Sequence, residues 1–182
     1  MKKIFIVFLL SLFTNISYAA SEKVFLKCEK IITENRSTTL VDVFAAGKFV
    51  QIVLTEIIIG NKSSKITVYE PFPDLDDYKE SFNKKILGMP AVAKQKAKVT
   101  DNSYSAVDKF SGKSSEGNKM NIIMRYTFTK DGDVWSLKNK NLLREEGGVD
   151  INYISAGKCV VVDKKYYKNI LKKGPSEADY SF

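Results

Sequence analysis

Alternating apolar and polar side chains run through most of this chain, a pattern typical of β-strands with one buried face. The pattern is clearest in the segment 122–129, where every second residue is Ile122, Met124, Tyr126 or Phe128. A turn at 130–133 contains Asp131-Gly132, and Val134-Trp135-Ser136-Leu137 then resumes the alternation. The sequence therefore predicts a β-hairpin here.

Further strands are predicted wherever β-branched and aromatic residues cluster between turn residues. They cover residues 24–28, 39–44, 49–59, 65–69, 91–100, 103–110 and 150–162. A polar stretch at 111–118 is predicted to be a flexible loop. The sequence thus predicts an α+β fold, predominantly antiparallel β, in which roughly eight to ten strands form a barrel-like or sandwich-like sheet.

One amphipathic helix is predicted at about 74–87. Acidic residues begin it, Lys84-Lys85 lies in its last turn, and Gly88 and Pro90 follow its end, as helix capping and the helix dipole favour. Its apolar stripe comprises Leu75, Tyr78, Phe82 and Ile86. We expect this stripe to pack on a face of the sheet or to close one end. A second, short basic helix is compatible with residues 163–173.

The N-terminus has the features of a secretory signal peptide. Lys2-Lys3 precedes an apolar stretch that ends near residue 16, and Ser17-Tyr18-Ala19 supplies the small residues of a cleavage site. We predict a signal peptide over 1–19, one β-rich domain over 20–175 and a disordered tail over 176–182. The alternative is an uncleaved anchor, which an apolar stretch of this length favours less because a spanning helix needs about 20 residues.

Cys28 and Cys159 are the two cysteines of the chain. Because an exported protein meets an oxidising environment, we expect them to form a structural disulfide rather than two buried thiols. This bond would place the first and last strands side by side. The chain has no Cys-x-x-Cys pair, which a redox enzyme would more often contain.

Composition excludes several kinds of catalysis. The chain contains no histidine, which rules out the usual Ser-His-Asp and Cys-His arrangements and His-rich catalytic zinc sites. The formal net charge is +8, carried mainly by lysine, and we interpret it as a solvated surface rather than a dedicated anion site. An exported protein would not routinely meet nucleic acid.

The short motifs in the chain do not require a catalytic, phosphate-binding or metal-binding role. Ser81-x-x-Lys84 and Ser155-x-x-Lys158 match a serine–lysine pattern at the frequency that chance predicts. Gly112-Lys113-Ser114 lacks the first glycine of a phosphate-binding loop, and the acids of 74–77 and 131–133 fit helix capping and turn formation. The adjacent pair Glu145-Glu146 would point apart on a strand. We predict no catalytic residues, no cofactor and no metal.

Two classes of function stay open. The favoured one is an exported, periplasmic or secreted binding or accessory module that holds an apolar small molecule or an envelope protein, rather than an enzyme. Its ligand-lining residues would come from the hairpin, although these side chains equally fit an ordinary core: Ile122, Met124, Tyr126, Phe128, Trp135 and Leu137. The alternative is a carboxylate-dependent hydrolase of envelope or glycan material. Peripheral membrane contact through Lys164 to Lys173 is less favoured than a solvated helix resting on the sheet.

Overall fold

A computed structural model describes residues 21–38, 50–70, 93–113 and 117–179 of the chain. Nine strands and one α-helix account for most of these residues. The strands are β1 (Glu22–Asn35), β2 (Val50–Ile59), β3 (Lys65–Tyr69), β4 (Ala93–Lys96), β5 (Lys98–Thr100), β6 (Ser103–Lys113), β7 (Lys119–Asp131), β8 (Val134–Glu145) and β9 (Val149–Val161). The helix is α1 (Lys164–Lys173), and a short 3₁₀ turn spans Glu177–Asp179.

The nine strands form one antiparallel sheet that is nearly closed into a barrel. Their order is β4-β3-β2-β1-β9-β8-β7-β6-β5, so the two outermost strands are β4 and β5. These two strands follow each other in the chain with Ala97 between them, and the Gln95 side-chain amide donates a 2.7 Å hydrogen bond to the Val107 carbonyl oxygen of β6. The predicted fold class, a predominantly antiparallel and barrel-like sheet, is confirmed.

The first and last strands lie side by side, as predicted from the two cysteines. Cys28 of β1 is directly opposite Cys159 of β9, and their sulfur atoms are at the disulfide distance of 1.98 Å. The bond joins positions 131 residues apart in the sequence.

Period-two alternation directs one side of each strand into the barrel. From β1 the interior receives Val24, Leu26 and Cys28, all buried. They pack with a larger group of buried side chains that includes Val53, Ile57, Ile66, Val68, Ala106, Tyr126, Phe128, Trp135 and Leu137. This cluster is the main hydrophobic core.

The helix α1 packs on the outside of the barrel. Its buried residues Tyr167 and Ile170 contact Ile52 and Leu54, which point outward from β2. The Asp163 side chain caps the helix by accepting a hydrogen bond of 2.8 Å from the Tyr166 backbone amide. This position agrees with the prediction of a basic C-terminal helix resting on the sheet.

Several predicted boundaries differ from the structure. Strand β1 continues to Asn35 instead of ending near Cys28, and β6 and β7 extend into the predicted loop 111–118. Both extensions are held by antiparallel pairing with neighbouring strands, which the local sequence does not reveal. The signal peptide over 1–19 and the helix at about 74–87 lie outside the described residues.

The predicted disordered tail over 176–182 is partly ordered. The Asp179 carboxylate accepts hydrogen bonds from the Tyr166 hydroxyl at 2.6 Å and from the Ser176 backbone amide at 2.7 Å. The bond from Tyr166 attaches the 3₁₀ turn to α1, and the bond from Ser176 closes the turn itself. The polar, small residues of the tail did not predict either bond. Residues 180–182 lie outside the described residues.

At Gly157, β9 lies close to the backbone of β1. A Cβ atom added at this position would lie 2.1 Å from the Glu29 carbonyl oxygen and 3.0 Å from the Lys30 Cα. Because both contacts are backbone atoms, the strands would have to separate. We expect Gly157→Ala to lower the free energy of unfolding by about 3 kcal/mol, the upper end of overpacking effects, when measured by urea unfolding.

The matched control for Gly157→Ala is Lys158→Ala. Lys158 is the next residue of β9 and is exposed. Exposed substitutions of this kind change stability by no more than about 0.5 kcal/mol. Equal effects of the two substitutions would contradict the close approach at Gly157.

Candidate functional site

The inward faces of β1 and β8 each pass from apolar residues to a buried polar residue. The main core contains the buried apolar side chains of Leu26, Phe128 and Leu137. Continuing along the same inward faces, β1 next contributes Lys30 and β8 next contributes Asn139. We call the end of the barrel toward which this change leads, where β3 ends and the β6–β7 hairpin turns, the rim end.

A buried lysine lies at the centre of the polar region. The Lys30 side chain is 1% exposed, and its ammonium forms an ion pair with the Glu70 carboxylate, whose side chain is 14% exposed. The Lys30 Nζ also donates a hydrogen bond to the Asn139 Oδ1 at 3.1 Å. Glu70 Oε1 accepts a second hydrogen bond, from the Tyr126 hydroxyl at 3.0 Å. The buried ammonium is therefore neutralised and hydrogen-bonded, as a charge in an apolar interior requires.

Asn139 connects the ion pair to neighbouring strands. Its Oδ1 accepts hydrogen bonds from Lys30, from the Asn141 side-chain amide and from the Ser155 hydroxyl, the last at 3.2 Å. Its Nδ2 donates to the Arg125 carbonyl oxygen at 3.3 Å. These contacts join six side chains from five strands or strand ends, which we call the polar network: Lys30, Glu70, Tyr126, Asn139, Asn141 and Ser155.

Two tyrosines in this region have raised pKa values. Burial is the main cause for both Tyr126 and Tyr153, and the negative charge of Glu70 adds to it. The hydrogen bond to Glu70 and the charge of Asp108 raise the pKa of Tyr126 further. Both phenols are therefore held in the neutral form.

These shifts predict that the protein loses stability in alkali. Above about pH 10 the unfolded chain releases tyrosine protons that the folded protein retains, so the free energy of unfolding falls as pH rises. Spectrophotometric titration of tyrosinate should show Tyr126 and Tyr153 ionising only with unfolding. In the Tyr126→Phe variant the free energy of unfolding should fall less steeply with pH above this value. The same steepness as in the wild-type protein would contradict the prediction.

An apolar row lies beyond the polar network at the rim end. Cross-strand register places Phe110 opposite Ile122, Ile122 opposite Leu143, and Leu143 opposite Ile151. By alternation these residues face the same side of the sheet as Tyr126 and Asn139. Phe110 is 50% exposed and the other three are partly exposed. We call these four residues the apolar rim.

No known family model, curated protein or solved structure matches this chain.

The hairpin residues predicted to line a ligand site fall into two groups. Tyr126, Phe128, Trp135 and Leu137 are buried in the core, where Tyr126 also joins the polar network. Ile122 and Met124 are partly exposed at the rim end. The hairpin therefore contributes to this end through its Ile122 half, whereas its Trp135 half lies at the disulfide, opposite Cys159.

The sequence patterns did not predict five members of the polar network: Lys30, Glu70, Asn139, Asn141 and Ser155. The signal for Lys30 was present, because it is two residues after Cys28 on the inward face of β1. Ser155 was considered only for its spacing to Lys158, which is exposed while Ser155 is buried, so the two do not form a serine–lysine pair.

Neither a metal centre nor a membrane span is found within the described residues. The cysteine and acidic side chains of those four segments include no cluster of three or more that could hold a metal ion. Across the same segments, no helix is both long enough and apolar enough to cross a membrane.

Proposed function

We propose that this protein is an exported binding module of the cell envelope that holds a small molecule with an apolar part at the rim end of its barrel. The observation that carries the proposal is the polar network, with its buried Lys30, lying directly beneath the apolar rim. Ligand sites commonly combine apolar walls with a few placed polar groups, and the mouths of β-barrels are frequent locations.

The energetics of the polar network support a role in recognition. A buried ion pair contributes little net stability, since desolvation of both charges offsets their attraction, and apolar replacements are often as stable. Lys30 and Glu70 are thus not needed to hold the barrel together. A network that positions hydrogen-bonding groups next to partly exposed apolar side chains is better explained by recognition of a ligand.

Export is supported by two independent features. The Cys28–Cys159 pair at disulfide distance fits an oxidising compartment. The basic and apolar start of the sequence followed by Ser17-Tyr18-Ala19 fits a cleaved signal peptide. Both features support a periplasmic or secreted location.

We favour binding over the alternative of a carboxylate-dependent hydrolase. Hydrolysis of that kind needs two carboxylates that converge on a substrate. Glu70 and Asp108 both influence the Tyr126 phenol, but Glu70 is already engaged by Lys30 and Tyr126. A carboxylate engaged in this way is better suited to structure or recognition than to attack on a substrate.

The apolar dye N-phenyl-1-naphthylamine tests the proposed site. The protein should enhance the fluorescence of the dye, and Phe110→Ser combined with Ile122→Ser should weaken dye binding at least tenfold because two walls of the site are lost. The matched control is Val160→Ser with Val161→Ser, since Val160 and Val161 are the last residues of β9, at the end of the barrel opposite the rim, and are 54% and 61% exposed. No enhancement, or equal loss in both double variants, would contradict a site at the rim end.

A further inference from the structure

The helix α1 presents a preformed cationic surface on the outside of the barrel. Five lysines occupy its ten residues, and all five are exposed: Lys164, Lys165, Lys168, Lys172 and Lys173. Lys165, Lys168 and Lys172 recur at helical spacing on the side opposite the buried Tyr167 and Ile170. We call these five side chains the lysine face.

Contacts with the barrel and capping hydrogen bonds hold α1 in place. The Asp163 cap, the packing of Tyr167 against Phe25 with ring centroids 4.9 Å apart, and the bond between the Gly174 amide and the Ile170 carbonyl oxygen hold the helix. An isolated helix of this length would be marginal in water. Packing on the barrel already stabilises the helix. A partner that binds the lysine face would therefore not have to offset the free-energy cost of helix formation.

Acidic side chains do not neutralise this face within the described residues. No salt bridge to any of its five lysines occurs there, while acids on the neighbouring sheet are engaged elsewhere, as Glu29 is by Lys27. Of the carboxylates beside α1, Asp163 accepts the capping hydrogen bond and Asp179 accepts hydrogen bonds from Tyr166 and Ser176. Lys165, Lys168 and Lys172 line an open depression of about 530 Å³ together with Asp163, Tyr166 and Asn169.

We propose that the lysine face docks the protein onto the anionic surface of a lipid bilayer by electrostatic attraction, without insertion of α1. Insertion would require the apolar side of the helix, but Tyr167 and Ile170 are buried against Ile52 and Leu54. Lysine ammonium groups bind lipid phosphates as point charges and need no bidentate geometry. The helix, about 15 Å long, offers a single row of charges to a flat surface.

A bilayer explains this face better than a protein or a nucleic acid. Protein interfaces are anchored by aromatic residues and arginine, and single-stranded nucleic acid is bound by stacking on exposed aromatic rings. The outward side of α1 has no arginine, Tyr167 is buried, and Tyr166, the aromatic residue that lines the depression, is fixed by the bond from its hydroxyl to Asp179. The proposal is independent of ligand binding at the rim end.

Sedimentation with lipid vesicles tests the proposal. The purified protein should bind vesicles of phosphatidylcholine mixed with phosphatidylglycerol but not vesicles of phosphatidylcholine alone, and about 1 M sodium chloride should release it by shortening the Debye length to about 3 Å. Lys165→Gln, Lys168→Gln and Lys172→Gln together should weaken binding about a hundredfold, since each lysine near the surface contributes about fivefold.

The matched control removes three exposed lysines elsewhere: Lys109→Gln, Lys138→Gln and Lys140→Gln. These lie on β6 and β8, in the part of the sheet away from α1 and with the same change in net charge. Retained binding in this control supports the lysine face. Equal loss in both triple variants, binding that survives high salt, or release by inorganic phosphate but not by chloride of equal ionic strength would each overturn the proposal.

Discussion

Replacing both Cys28 and Cys159 by alanine is expected to lower the free energy of unfolding by about 5 kcal/mol, the largest effect of any change considered for this protein. The disulfide closes a segment of 131 residues, so in the chain-entropy model its loss gives the unfolded chain much more conformational freedom. Both cysteines are buried, and alanine keeps a small apolar side chain in each place. Urea unfolding of the two proteins measures the difference.

The reduced wild-type protein is the control for this effect. Reduction breaks the same bond without changing the sequence. The urea concentration at the midpoint of unfolding of the reduced protein should therefore approach that of the double variant. The Cys28→Ala and Cys159→Ala single variants should each lose nearly as much as the pair, because either one opens the loop. A loss below about 1 kcal/mol in the double variant would contradict the proposed constraint of β1 against β9.

Replacing Lys30 by methionine is expected to lower the free energy of unfolding by about 3 kcal/mol. Methionine fills the space of the lysine stem but leaves the Glu70 carboxylate with the Tyr126 hydroxyl as its remaining described donor. Removing one partner of a buried ion pair typically costs about 3–5 kcal/mol, and the partial exposure of Glu70 places this case at the low end. Denaturant unfolding at neutral pH measures the change.

A double-mutant cycle distinguishes an uncompensated charge from a simple packing defect. Combining Lys30→Met with Glu70→Gln removes the charge while an amide oxygen can still accept the Tyr126 hydrogen bond, so most of the lost stability should return. Lys23→Met is the control on the same strand, because Lys23 and Glu56 form an exposed pair at 3.4 Å worth no more than about 1 kcal/mol. Additive losses in the cycle would contradict the buried ion pair.

The β-rich architecture was predictable from the sequence because period-two alternation reports directly on strands with one buried face. The same alternation continues beyond the ends of the predicted strands and marks further inward positions. On β1 it runs from Val24 through Leu26 and Cys28 to Lys30, two residues beyond the predicted strand. On β8 it runs from Trp135 and Leu137 to Asn139, two residues beyond the predicted return of the hairpin. Lysine and asparagine are ordinarily exposed, so the buried positions of Lys30 and Asn139 were not predicted.

The partners of these polar residues could not be predicted from local patterns. Lys30 and Glu70 are 40 residues apart in the sequence. Asn139 accepts a hydrogen bond from Lys30 only because β1, β9 and β8 are neighbours in a particular register. Closure of the barrel and strand order determine which side chains meet. The apolar rim has the same origin, since Phe110, Ile122, Leu143 and Ile151 belong to four strands and become one row only through cross-strand pairing.

Native mass spectrometry of the protein purified from the envelope fraction of its own host tests ligand binding at the rim end. We expect a native mass above that of the chain cleaved after Ala19, which falls to the bare chain on denaturation. We also expect the Lys30→Met, Glu70→Gln double variant, prepared in the same way and folded, to retain less of the added mass. A wild-type native mass equal to that of the bare chain would contradict a tightly held small molecule at the rim end.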